Sequence, residues 1–134
     1  MPDIYVDIGP MTYNSDDKKA PKQFADKAKE AMKKAAERAV KSASGFTTAK
    51  KGEGYTIRFK VTDVAVSPKG VACKVSGELI RYPKALMVST GITGSGTVTG
   101  EAPERAVIDC VDSIVEDLVT KKIVPVMKQQ AGKG

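Results

Sequence analysis

The chain contains no histidine and no tryptophan, and its aromatic residues are four tyrosines and three phenylalanines. Without histidine there is no base for a Ser–His or Cys–His pair, so nucleophilic catalysis of that type is excluded. General acid–base work near neutral pH would fall to a carboxylate or lysine with a strongly shifted pKa. Two cysteines are too few for a disulfide framework, and the spacing of Cys73 and Cys110 fits no zinc pattern. No apolar run approaches the roughly 18 residues that a membrane helix needs. Scarce aromatics leave a core to be built from Val, Ile, Ala and Leu. The opening MPDIYVDI has neither the basic nor the apolar segment of a signal peptide. Two locations stay open: the cytoplasm, or the periplasm or envelope if an export signal was removed.

At 134 residues, with 41% hydrophobic and 28% charged side chains, the composition is that of one globular domain spanning 1–134. A net charge of +6 allows an acidic partner. The charge is uneven. Residues 21–43 hold seven basic and three acidic side chains, and residues 101–122 hold six acidic and three basic ones. Two solvated helix faces of opposite sign account for this.

Hydrophobic period then sets the elements. Ile4, Val6 and Ile8 alternate with Tyr5 and Asp7, a half-buried strand ended by Gly9-Pro10. Met11 to Ala20 reads as a loop, with Asn14, Ser15, Asp16 and Asp17 as turn residues. Pro21 suits a first helical turn. Phe24, Ala28, Ala31, Met32, Ala35, Ala39 and Val40 follow at helical spacing, and Gly45 terminates the helix. Phe46 to Gly54 is a connector that opens on a short edge strand. Tyr55, Ile57, Phe59 and Val61 alternate inward, and the parity changes at Asp63, which predicts a bulge near Thr62–Asp63–Val64. Ser67-Pro68-Lys69-Gly70 is a tight turn. Val71, Cys73, Val75 and Leu79 return, and Tyr82-Pro83-Lys84 breaks the strand. Leu86, Val88, Thr90, Ile92 and Val98 share one parity in a last strand that also carries Gly91, Gly94, Gly96 and Gly100. Such glycines mark bends or close backbone approach, here on a twisted or frayed strand at a sheet edge. Glu101 and Glu104 open a second helix with the stripe Val107, Cys110, Val111, Ile114, Val115 and Leu118; Pro125 should end or kink it. Residues from about 128 read as a flexible tail.

The expected fold is therefore α+β: a two-layer sandwich of order β-α-β-β-β-α, with an antiparallel-rich sheet and two helices on one face. Each helix has a single apolar stripe to bury. Cys73 and Cys110 both fall on apolar phases, so both should be buried. They read as free thiols, with a disulfide between strand and helix as the alternative that an oxidising compartment would permit.

No constellation supplies chemistry. The glycine-rich GITGSGTVTG is followed by no Gly-Lys-Ser/Thr, so it is not a phosphate loop. Asp109, Asp112 and Glu116 lie on one helix stripe at i, i+3 and i+7, which reads as a solvated acidic face. No catalytic residue, metal ligand or cofactor is expected. Two binding surfaces remain. The last strand offers an unprotected edge at Val88, Thr90, Ile92, Thr97 and Val98, suited to a protein partner or a second copy of the chain. A basic surface at Lys22, Lys29, Lys33, Arg58, Lys60 and Lys74 would suit nucleic acid, but the aromatics needed for base stacking are nearly absent.

The order of elements, with IYVDI, a helix ending in Gly45-Phe46, YTIRFKVTDV, a hairpin ending near Tyr82 and a strand with Gly91, resembles small envelope modules of bacteria. These are the CsgG curli-secretion lipoprotein, the LpoB activator of penicillin-binding proteins and the N-terminal domain of TolB. The resemblance implies a non-enzymatic protein-interaction module in an envelope or secretion-type assembly, lipoprotein-like and oligomeric, with no shared catalytic residues. No cysteine stands near the start for lipid attachment. The alternative is a cytoplasmic nucleic-acid-binding module.

Overall fold

The computed structural model describes residues 3–14 and 22–132. Ser15, Asp16 and Asp17 of the expected loop, and Pro21 of the expected helix start, lie outside them. Strand β1 is Ile4–Ile8, β2 is Thr12–Tyr13, and a 3-10 turn at Lys22–Phe24 leads into helix α1, Ala25–Ser42. Strands β3 (Phe46–Thr47), β4 (Gly54–Ser67), β5 (Gly70–Tyr82) and β6 (Met87–Val98) follow. Helix α2 is Pro103–Leu118, a π-helical turn spans Val119–Ile123, and α3 is Val124–Gly132. This is the α+β sandwich read from the sequence.

The six strands form one mixed sheet ordered β3-β1-β4-β5-β6, with β2 also on β4. β1 pairs in parallel with β3 and β4, whereas β4–β5 and β5–β6 are antiparallel. The short strand expected at Phe46 is an edge, as read. The expected loop after Pro10 instead contains β2, which runs beside β4 in the register Thr12↔Lys60 and Tyr13↔Val61. Two residues are too few to show a period, so β4 and not local sequence defines this strand.

The β4–β5 ladder shifts register between Val61 and Asp63, at the predicted bulge. The extra residue moves Val64 to the core face, where it is buried beside Val61. The parity expected for the last strand fails. Ile92 is buried, but Thr90 is exposed and Leu86 is 58% exposed. Gly91 has φ +67°, and the β5–β6 register shifts on both sides of Leu79. A left-handed residue and two irregularities reset the alternation in mid-strand.

Ala28, Ala31, Met32, Ala35, Ala36, Ala39 and Val40 of α1 join Val107, Cys110, Val111, Ile114, Val115 and Leu118 of α2 in one core with the inward side chains of the sheet. Alanines let α1 lie close to its neighbours without loss of helix propensity. The two charged helix faces are not separately solvated. Arg38 spans from α1 to Asp112 at 2.6 Å and Glu116 at 3.3 Å, and Lys27 meets Glu104 at 2.8 Å. The sequence reading missed this because both stripes look solvent-facing until the helices lie side by side.

Pro125 does not end the helix. Its missing N–H leaves the Lys121 carbonyl without the usual donor, and its ring crowds that carbonyl. The backbone widens into the π turn, in which Val124 N–H reaches the Val119 carbonyl, and helix continues to Gly132. Val119, Ile123 and Met127 are thereby buried. Helix thus occupies residues 128–132, where a tail was expected.

Cys73 and Cys110 are 2% and 1% exposed, as predicted. They are not free thiols: a disulfide joins them, with Cα atoms 6.4 Å apart. The inward phases of β5 and α2 bring the two side chains together, which spacing in the chain could not show.

Candidate partner-binding edge

β6 ends the sheet and pairs only with β5 among the described residues. Its 12 residues, MVSTGITGSGTV, carry no charge. Glycine decides how it is held. A Cβ at Gly94 would lie 2.9 Å from Ile114 Cγ2, and one at Gly96 would lie 3.6 Å from Ile114 Cδ1 and 3.9 Å from Cys110 Sγ. The glycines therefore let α2 settle against the strand backbone. Ile114 and Leu118 fill the space that β6 side chains would otherwise take. The disulfide is placed at the same point, since Cys73 pairs in register with Gly96 and Cys110 comes from α2.

The opposite face of β6 presents Thr93, Ser95 and Thr97, all exposed. Lys122, from the π turn, donates from Nζ to the Thr93 carbonyl at 3.3 Å. At the start of the strand Leu86 and Met87 are 58% and 50% exposed, and with Val66 they are the large apolar side chains left most open among the described residues. Of the residues expected to form the binding edge, Thr90 and Thr97 are exposed, Val88 and Val98 are half-buried, and the Ile92 side chain points into the core. Ile92 can thus serve an edge only through its backbone. Thr93, Ser95, Leu86 and Met87 are exposed along the same edge. The charge-free run was the available signal, and the parity reset at Gly91 hid which side chains face out.

The face of the sheet away from the helices has two ends. Near β1 it is closed by side chains. Tyr5 and Tyr82 meet edge to face with ring centroids 5.3 Å apart. Thr56 donates to Asp7 at 3.2 Å, and Arg58 pairs with Glu78 at 2.9 Å. The Arg58 stem lies over Gly9, where a Cβ would stand 2.8 Å from its Cγ. Burial, then the Asp7 carboxylate, holds the Tyr5 phenol above its ordinary pKa of 10.0. The far end is a shallow trough of about 1040 Å³, floored by Ala65, Ala72, Ser95 and Thr97 with Asp63 and Lys74 at one side.

The basic residues do not converge. Lys22, Lys29 and Lys33 belong to the helical layer, whereas Arg58, Lys60 and Lys74 point from the opposite face of the sheet. Among the described residues Glu101 is the one carboxyl raised above its usual range, chiefly by a hydrogen bond to Asp109, at an exposed site before α2. No group of three or more metal-ligating side chains occurs among the described residues, and no helix there is long and apolar enough to cross a membrane.

No family model matches the chain, and no curated protein matches its sequence. Solved structures do match its fold. A variant PelC dodecamer from Paraburkholderia phytofirmans is similar with TM-score 0.61 at 12% identity, over 93% of this chain and 87% of that one. Another PelC dodecamer structure from the same organism gives 0.57 at 13% identity, over 89% and 87%. Protein XCC0632 from Xanthomonas campestris, of the DUF330 family, gives 0.59 at 11% identity, over 98% and 90%. At these identities the likeness is one of fold. It falls on PelC and a DUF330 protein, and these structures do not show the finer resemblance to the CsgG, LpoB or TolB modules named from the order of elements.

Proposed function

We propose that this chain is a non-enzymatic protein-interaction module of the bacterial envelope, and that it assembles through the edge of β6. One observation carries the reading: a 12-residue terminal strand bears no charge and, among the described residues, is paired on one side only. Sheet edges of this kind are usually shortened, charged or covered, because their backbone groups accept another strand. The residues proposed for contact are Val88, Thr90, Thr97 and Val98, the Ile92 backbone, and the exposed Thr93, Ser95, Leu86 and Met87. Two features support the location and the mode. A buried disulfide suits an oxidising compartment such as the periplasm. The fold is shared with PelC, whose structures are dodecamers. The nucleic-acid alternative has less support, since the basic side chains lie on opposite layers.

The test is Thr93→Pro, read by light scattering and thermal melting. Proline on an edge strand removes an outward N–H and is tolerated there. Lost assembly with the melting temperature nearly kept supports the edge. Unchanged assembly refutes it and turns attention to the basic face of α1.

A further inference from the structure

Lys122 sits where a strand added to β6 would have to bond. Its amine occupies the Thr93 carbonyl, and Thr93 side chain and backbone lie on the exposed run Thr93, Ser95, Thr97. In an antiparallel ladder alternate residues turn both backbone groups away from the paired neighbour. Thr93 is such a residue, and Ser95 and Thr97 share its phase. The position of Lys122 is not incidental to the helix. It follows from Pro125, which forces the π turn at Val119–Ile123. The wide turn buries Val119 and Ile123 and leaves Lys122 over the sheet edge. π turns inside α-helices recur at functional sites.

We propose that Lys122 is a lock on the β6 edge, and that its occupant once released is the β6 strand of a second copy. The proposal rests on the edge reading above and adds the residue that regulates it. A second copy fits for three reasons. The strand has no charge, so two like edges do not repel. Thr93, Ser95 and Thr97 place hydroxyls on one face, and cross-strand Thr–Thr and Thr–Ser pairs are favourable. The exposed Leu86 and Met87 give the edge an apolar end that a neighbouring strand would cover. The lock acts because the amine lies against the outer edge of the strand and competes with an incoming backbone N–H for the Thr93 carbonyl. Exposed lysine on an edge strand is a known way of blocking such addition.

The experiment uses the full chain, with a synthetic peptide of residues 87–98 as strand probe. Self-association is followed by sedimentation velocity and peptide binding by titration. Lys122→Ala should raise both affinities by about three- to tenfold, the scale of one exposed hydrogen bond. Lys122→Arg, which keeps a donor, should stay close to wild type. Lys121→Ala removes the same charge from the neighbouring position, where the side chain meets Asp117, and should give no gain. In a Thr93→Pro background the gain from Lys122→Ala should vanish. Equal affinities for wild type and Lys122→Ala, or an equal gain in Lys121→Ala, overturn the lock and leave the edge reading standing. No association and no peptide binding in any variant overturns the edge reading and the lock with it.

Discussion

Strands β4 and β6 flank β5 on its two sides, and they are held by opposite means. β4 packs with side chains. Tyr55, Ile57, Phe59, Val61 and Val64 reach the core, while Arg58, Lys60 and Asp63 mark its outer face with charge. β6 packs largely with backbone. Gly94 and Gly96 let α2 come down on it, only Ile92 is fully inward, and its outer face carries hydroxyls. β4 is further covered by β1 and β2, whereas β6 is the end of the sheet. The interior strand thus writes its position into its own residues. The edge strand borrows its position from a helix and a disulfide, and is left with an uncharged outer edge.

The disulfide gives the largest expected effect on this contrast. It closes a loop of sequence separation 37. Replacing both Cys73 and Cys110 by Ala should cost about 2–4 kcal/mol in urea unfolding. Amide exchange should rise first in β6 and α2 and least in β4. A uniform rise across the sheet would break the contrast.

The glycines come next. Gly94→Val should cost about 1–3 kcal/mol by overpacking against Ile114 and Leu118. Gly91→Ala meets no neighbour but must hold φ +67°, so about 1 kcal/mol is expected from backbone strain alone. Chemical denaturation separates the two. If Gly94→Val is neutral, α2 does not rest on the strand backbone as described.

The smallest effect tests the closed end beside β4. The folded Tyr5 phenol keeps its proton to higher pH than the unfolded chain does, chiefly through burial. Above about pH 10 the folded state therefore binds more protons, and stability falls as pH rises through the raised value. Tyr5→Phe should flatten that decline in a melting-temperature profile. An unchanged profile would mean that Tyr5 is not enclosed with Asp7 and Tyr82.

Much of this was legible in the chain. Tyr55 to Val66 gave strand, bulge and parity change together, because a half-buried strand must alternate and can change face only by an extra residue. Ala28 to Val40 and Val107 to Leu118 gave both helices by period. The unprotected edge could be read at residues 87–100, but not its membership. Val88, Thr90, Ile92 and Val98 share a parity in sequence that Gly91 breaks in space. β2 was hidden, since two residues have no period.

Sequence alone determined the order of the longer elements, the inward faces of β4, β5, α1 and α2, the bulge and the absence of histidine chemistry, because each depends on residues near one another along the chain. Tertiary structure decided the rest. It joined Cys73 to Cys110 and set Arg38 between Asp112 and Glu116. It also parted Lys22, Lys29 and Lys33 from Arg58, Lys60 and Lys74, and brought Lys122 to the Thr93 carbonyl. Each of these depends on how one layer is laid upon the other. That is fixed by packing across the whole core, which no local period encodes.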